Sequence, residues 1–247
     1  AHIDKMLEKQ GLSDCHPAPL PYNAGHMQAV LRQGRAAPLD PDSDPPVNPT
    51  EFRNATGSIG YPAVMSRADI ACTTSVLQRF QSSPRRSHMQ AAKHVMRYLK
   101  GSKNMGIKYS GGPVQLTAAV DTCWADDVDA AESQYGWVVF LCGGIVSWKS
   151  ALMRCTATSS TEAEYVGLAD LVCELLYLTS LLAEMGYPQK PVPVDEDNKG
   201  VLAIARCEGR HSHQRHINIK FHGTVDVRRM PRQIPYILLR VFCTTQH

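Results

Sequence analysis

A chain of 247 residues can bury one large core or two small ones, and a composition of 43% hydrophobic and 20% charged residues is that of an ordinary folded protein. The net charge of +3 permits a nucleic-acid partner without arguing for one, so local clusters must decide. The cysteines (Cys15, Cys72, Cys123, Cys142, Cys155, Cys173, Cys207 and Cys243) form no C-x-x-C pair, which speaks against a disulfide framework or a zinc knuckle and for reduced thiols inside a cell.

No apolar run reaches about 18 residues and no signal peptide opens the chain, so a soluble intracellular protein is expected. Ala1 in place of an initiator Met points to a piece of something longer. Residues 2–10 read as a short helix with Ile3, Met6 and Leu7 on one side. From Pro17 to Pro49, prolines and scattered charges with few large apolar residues read as an extended linker, with a boundary near Pro49.

From Thr50 to Gly101 the pattern is helical. One helix is predicted over Ile70–Phe80. A second, from about Arg85 to Lys100, follows Pro84, buries Met89, Ala92, Met96 and Leu99, and stops at Gly101. Arg86, Lys93, Arg97 and Lys100 give it a basic stripe, which is a solvated face on pattern alone or a rail for a phosphate backbone.

Strands begin at about Val114. Val114–Asp121 ends on an acid; Gln134–Cys142 and Ile145–Ser150 read as a hairpin turning at Gly143-Gly144. A long helix is predicted from Ser159 to about Met185. Ser159 and Glu162 have the spacing of a capping box, and Tyr165, Leu168, Ala169, Val172, Leu175, Leu176, Thr179 and Leu182 form the apolar face. Glu164 lies beside that face. A short strand, Val192–Glu196, leads to Asp197-Asn198 and a helix over Gly200–Arg206. The order predicts an α/β layer with a mixed sheet. After Phe221 the periodicity fades, and the apolar cluster Ile234–Phe242 has no evident partner.

Three acids fall at comparable places: Asp121 and Asp197 at strand ends, Glu164 in the first turns of the long helix. Ligands collect at strand ends in open α/β sheets. Three carboxylates brought together repel one another and must take up protons or hard cations, of which Mg²⁺ suits carboxylate oxygens, water and phosphate. For any one of the three alone, a cap or a surface charge is the better reading. Cys207, His211, His213 and His216 offer zinc-ligand types at a spacing that fits no common finger. No G-x-S-x-G elbow supports a serine hydrolase.

The chain resembles the C-terminal part of the Pol polyprotein of copia-type LTR retrotransposons, the end of reverse transcriptase followed by ribonuclease H. The strongest piece is Ser159-Ser160-Thr161-Glu162-Ala163-Glu164-Tyr165, with Val146-Ser147-Trp148-Lys149-Ser150 before it. Gly11-Leu12-Ser13-Asp14-Cys15-His16-Pro17, Arg67-Ala68-Asp69-Ile70, Arg97-Tyr98-Leu99-Lys100-Gly101, Asp197-Asn198 with Ala203-Ile204-Ala205, and His211-Ser212 through His216-Ile217 are also similar and collinear. Each piece is weak alone; the series is strong.

The resemblance implies a ribonuclease H-like fold, a mixed sheet flanked by helices, preceded by a small helical connection region and the linker. It divides the chain into a reverse transcriptase tail and linker (1–49), a thumb-like helical segment (50–110), the ribonuclease H-like domain (111–225) and a divergent tail (226–247). It further implies cleavage of the RNA strand of an RNA–DNA hybrid with two Mg²⁺ ions, or Mn²⁺ in their place. The implied metal ligands are Asp121, Glu164 and Asp197, with Glu162 left as the capping partner. The family's fourth acid falls on Asn218, a neutral donor, and a second acid before Trp124 is replaced by Cys123. His216 has the chemistry to move protons near neutrality. Arg86, Lys93, Arg97 and Lys100 would hold the duplex. The implied partners are the hybrid and the reverse transcriptase portion of the same polyprotein, without a membrane, in cytoplasmic virus-like particles or the nucleus. The competing expectation is an inactive remnant that still binds hybrid or duplex; a third is a structural subdomain dependent on the reverse transcriptase.

Overall fold

The computed structural model describes residues 2–22, 44–127, 132–153, 160–197 and 237–241, with the backbone alone for 123–127, 132, 160 and 237–241. Two compact units divide the chain: Ala1–Ile107 with Ala125–Glu132 and Ser150–Leu152, and Lys108–Trp124 with Ser133–Lys149 and Met153–His247.

The first unit is helical, with α1 (His2–Lys9), α2 (Pro49–Met65), α3 (Ala71–Gln78) and α4 (Arg86–Gly101). α2 goes unread as a separate element in the sequence because Gly57, Gly60 and Pro62 disguise it. Asn48 caps it by accepting the Thr50 N–H at 2.9 Å, and Pro49 stands at the first turn, where its missing N–H costs nothing. Inside the helix Pro62 leaves the Ser58 carbonyl without its usual donor. The His2 imidazole meets that carbonyl at 3.0 Å and lies against Tyr61. Phe52, Ile59, Ile70, Leu77, Met96 and Leu99 are fully buried among these helices.

Two motifs of the family resemblance meet here. Arg67, itself buried, forks onto Asp69 at 2.9 and 2.7 Å and donates to the Ser102 carbonyl and hydroxyl, while the Tyr98 hydroxyl donates to Asp69 at 2.7 Å. Burial alone would raise the Asp69 carboxyl, but the hydrogen bonds from Arg67 and Tyr98 and the guanidinium charge outweigh it and hold it below its ordinary value.

The segment read as an extended linker, Pro17–Pro49, is held at both of its described ends. The Ala18 N–H reaches the Arg97 carbonyl, and just ahead of the segment Ser13, Cys15 and His16 give their carbonyls to Lys100 and Arg97. At the other end, Asp44 accepts from the Ser87 N–H at 2.9 Å and the Ser87 hydroxyl at 2.6 Å, satisfying an open amide in the first turn of α4. Proline-rich chain holds to a helix because its fixed backbone loses little entropy on docking.

The second unit contains β1 (Thr117–Asp127), β2 (Glu132–Leu141), β3 (Gly144–Leu152), α5 (Ser160–Glu184), β4 (Val192–Glu196) and β5 (Ile237–Val241). The sheet order is β3-β2-β1-β4-β5, with β4 parallel to both β1 and β5. β2 and β3 form the expected hairpin. Its turn residues are Cys142 and Gly143, both at positive φ, in place of the expected Gly143-Gly144. Gly144 instead starts β3, where the Tyr109 ring leaves no room for a Cβ. The mixed sheet with α5 against it is the expected α/β class and is consistent with a ribonuclease H-like fold.

The apolar cluster in the tail does find a partner. Ile237 to Val241 pair in parallel with Val192 to Glu196, residue for residue. The helix expected over Gly200–Arg206 lies outside the described residues, as does the Cys207–His216 group.

Candidate metal centre

α5 lies on the sheet through a buried line formed by Ala163, Leu168, Leu171, Leu175 and Leu182. That line is rotated from the expected face: Tyr165, Ala169, Val172 and Leu176 are only partly covered, and Glu164, expected beside the face, lies within it at 6% exposure. By length and composition α5 could cross a membrane. Its polar groups are instead tied to the hairpin. Trp137 Nε1 donates to Asp170 at 2.7 Å, Lys149 pairs with the same carboxylate at 2.8 Å, and the Ser147 hydroxyl donates to Glu174 at 2.8 Å. Ser147 and Lys149 share one face of β3, and Asp170 and Glu174 are one helical turn apart, so strand and helix periods match.

The closest approach is at Gly167. A Cβ there would stand 3.0 Å from Thr122 Oγ1, 3.3 Å from Tyr135 Cβ and 3.4 Å from Val120 Cγ2. Because glycine lets the helix come this near, the turn before it carries Glu164 to the middle of β1, where Asp121 sits; the strand expected to end on Asp121 instead runs from Thr117 on to Asp127. β1 and β4 deliver the other two acids. Their register pairs Ala118 with Val194 and Ala119 with Asp195, and two steps further along it Asp121 stands level with Asp197.

Asp121, Glu164 and Asp197 each offer an oxygen, and these oxygens lie within 4.8 Å of one another. Oxygens about 2.1 Å from one hard cation lie at most about 4.2 Å apart, so the exposed Asp121 and Asp197 side chains would draw in slightly to share one. Glu164 is buried while Asp121 and Asp197 are exposed, so the cluster is open on one side. The Glu164 carboxyl is pushed up to about 8 by burial, then by the charge of Glu196 and those of Asp121 and Asp197, against the opposing Thr122 hydroxyl. Its Oε2 has no hydrogen-bond partner among the described residues. A buried carboxyl with an unfilled oxygen among like charges fits a divalent cation, by the chemistry of the donors and the spacing alone.

Other expected site residues are distributed differently. Asn218 and His216 lie outside the described residues, as does Ser159 of the capping box; Glu162 is fully buried. The Cys123 side chain is not described. Arg86 and Lys93 are exposed on α4, whereas Arg97 and Lys100 already hold the backbone of residues 13–16. The sequence reading passes over Glu196, which is 1% exposed. Its signal is the strand alternation: Val192, Val194 and Glu196 occupy the inward positions, with Pro193 and Asp195 between them.

No family model matches the chain. It is 29% identical over 221 residues to the retrovirus-related Pol polyprotein from transposon TNT 1-94 of Nicotiana tabacum, covering 90% of this chain and 16% of that protein. To the Pol polyprotein from transposon RE1 of Arabidopsis thaliana it is 36% identical over 177 residues, 71% of this chain and 12% of that one. A protein of Plasmopara viticola named Secreted RxLR effector protein 161 is 39% identical over 129 residues, 52% of this chain and 91% of its own length. The chain therefore spans a small part of the two polyproteins.

Proposed function

We propose a nuclease role for the acidic centre from this premise: the chain belongs to the retrovirus-related Pol polyproteins of copia-type LTR retrotransposons. The reading is Mg²⁺-dependent endonucleolytic hydrolysis of the RNA strand in an RNA–DNA hybrid. The observation that carries it is the convergence of Asp121, Glu164 and Asp197 within 4.8 Å.

Asp121, within β1, and Asp197, just past the end of β4, both face solvent, where a phosphate backbone can reach them. Glu164 closes the buried side and gives up its proton when a cation takes its place, because the positive charge reverses the balance that holds the proton there. Gly167 and the Trp137–Asp170 tie keep α5 at the height this requires. When bound, a pair of Mg²⁺ ions supplies the activated water and the stabilisation of the leaving oxygen. Asn218 as a neutral fourth donor and His216 as a proton carrier remain parts of the proposal, as does selection of RNA through its 2′-hydroxyls. The reading places the chain beside the reverse transcriptase portion of the same polyprotein, in a cytoplasmic particle or the nucleus.

The test is incubation of the chain with an end-labelled hybrid and Mg²⁺ or Mn²⁺. RNA fragments that disappear with EDTA support the reading. Asn218 in place of an acid favours a second one, a remnant that binds hybrid without cutting it, and retained binding without products would establish that instead.

A further inference from the structure

We propose that Glu196 is an additional acidic residue of the metal centre, supplying from β4 the negative charge that Asn218 lacks at the family's fourth acid position. This inference rests on the metal-centre reading above and deepens it.

The argument begins with the strand. In β4 the side chains of Val192, Val194 and Glu196 turn inward, and a carboxylate at the third of these positions sits where the alternation calls for another valine. It is 1% exposed. Continuing the β1–β4 register places Glu196 level with Val120, one residue before Asp121, on the face that Gly167 of α5 approaches. Glu196 thus lies one strand position below Asp121 and Asp197, on the inward face of the sheet. Its charge stands ahead of those of Asp121 and Asp197 among the causes that raise the Glu164 carboxyl, in keeping with that placement. Desolvating a second carboxyl beside Glu164 destabilises the metal-free protein, and a cation is what turns that cost into affinity.

A merely structural glutamate would leave cation affinity alone; a member of the centre would not. Mn²⁺ binding to the full chain, read from the loss of the free-ion electron paramagnetic resonance signal, separates the two. Glu196→Gln is expected to weaken Mn²⁺ binding at least tenfold and to abolish most of the rise in Tm that Mn²⁺ gives, while the Tm in EDTA stays level or rises. Glu196→Asp, which keeps the charge, is expected to recover part of the affinity and serves if the glutamine variant does not fold. Asp195→Asn removes the same charge from the outward position and is expected to change affinity less than twofold. Wild-type affinity in Glu196→Gln, or an equal loss in Asp195→Asn, would overturn the inference while leaving the centre standing. A wild-type chain that binds no Mn²⁺, or binds it unchanged after Asp121→Asn, would overturn both.

Discussion

Trp137 donates its indole N–H to Asp170 at 2.7 Å, and this bond fixes α5 against β2 less than two turns beyond Glu164. Lys149 shares the same carboxylate, so Asp170 answers two donors from two strands. Replacing Asp170 with Ala leaves both without their partner. The expected loss is about 2–3 kcal/mol, the scale of a hydrogen bond to a charged group with its partner left partly buried. Denaturant unfolding measures it. Divalent-ion affinity should fall with it, although Asp170 touches none of the three acids.

The raised Glu164 carboxyl makes a pH prediction whose sign is fixed. Folded, this group binds its proton up to about pH 8, whereas unfolded it lets go near its ordinary value of 4.5. The folded state therefore holds more protons in between, and metal-free stability falls as pH rises through that window. Buried His88, held down to about 4 by desolvation, works in the opposite direction, but only below its ordinary 6.5. Between pH 6.5 and 8 the Glu164 contribution acts without it. Tm measured in EDTA should decline over that range in the wild type and much less in Glu164→Gln. Saturating Mg²⁺ should remove the decline.

How far the sequence carries is clear from particular residues. Glu164 and Asp197 are legible because each follows a local signal, a helix start or a strand end; Asp121 is legible through the series of motifs, since β1 continues past it to Asp127. Glu196 is hidden by its own strand: Val192–Glu196 reads as a unit, and an acid at its end looks like a strand leaving the core. The partner of Ile237–Val241 was out of reach for a different reason. Parallel pairing with β4 is a long-range contact, and nothing within the cluster encodes it. Cys142 at positive φ defeated the turn assignment, since side chains with a Cβ seldom adopt that conformation.

Gly167 offers a direct probe of helix height. Ala there must fit a Cβ against Thr122, Tyr135 and Val120, and Val must add two methyls to the same gap. Overpacking of this kind costs about 1–3 kcal/mol. Gly167→Val should lose stability on that scale by thermal unfolding and weaken divalent-ion binding more than Gly167→Ala does, in the order of added volume.

The basic face of α4 should divide in two. Arg86 and Lys93 are exposed, while Arg97 and Lys100 hold the carbonyls of Ser13, Cys15 and His16. If the face meets a phosphate backbone, Ala at Arg86 or Lys93 should each lower the salt slope of hybrid binding by about one and leave stability unchanged. Lys100→Ala should instead release residues 13–15, seen as faster proteolysis near Ser13.

The central claim is that Asp121, Glu164 and Asp197 hold a divalent ion together. Anomalous diffraction from crystals of the full chain grown with Mn²⁺ tests it most directly. The account predicts a Mn²⁺ peak bonded to carboxylate oxygens of all three residues and absent from Asp121→Asn. Mn²⁺ bound elsewhere, or an empty cluster at millimolar Mn²⁺, would contradict it.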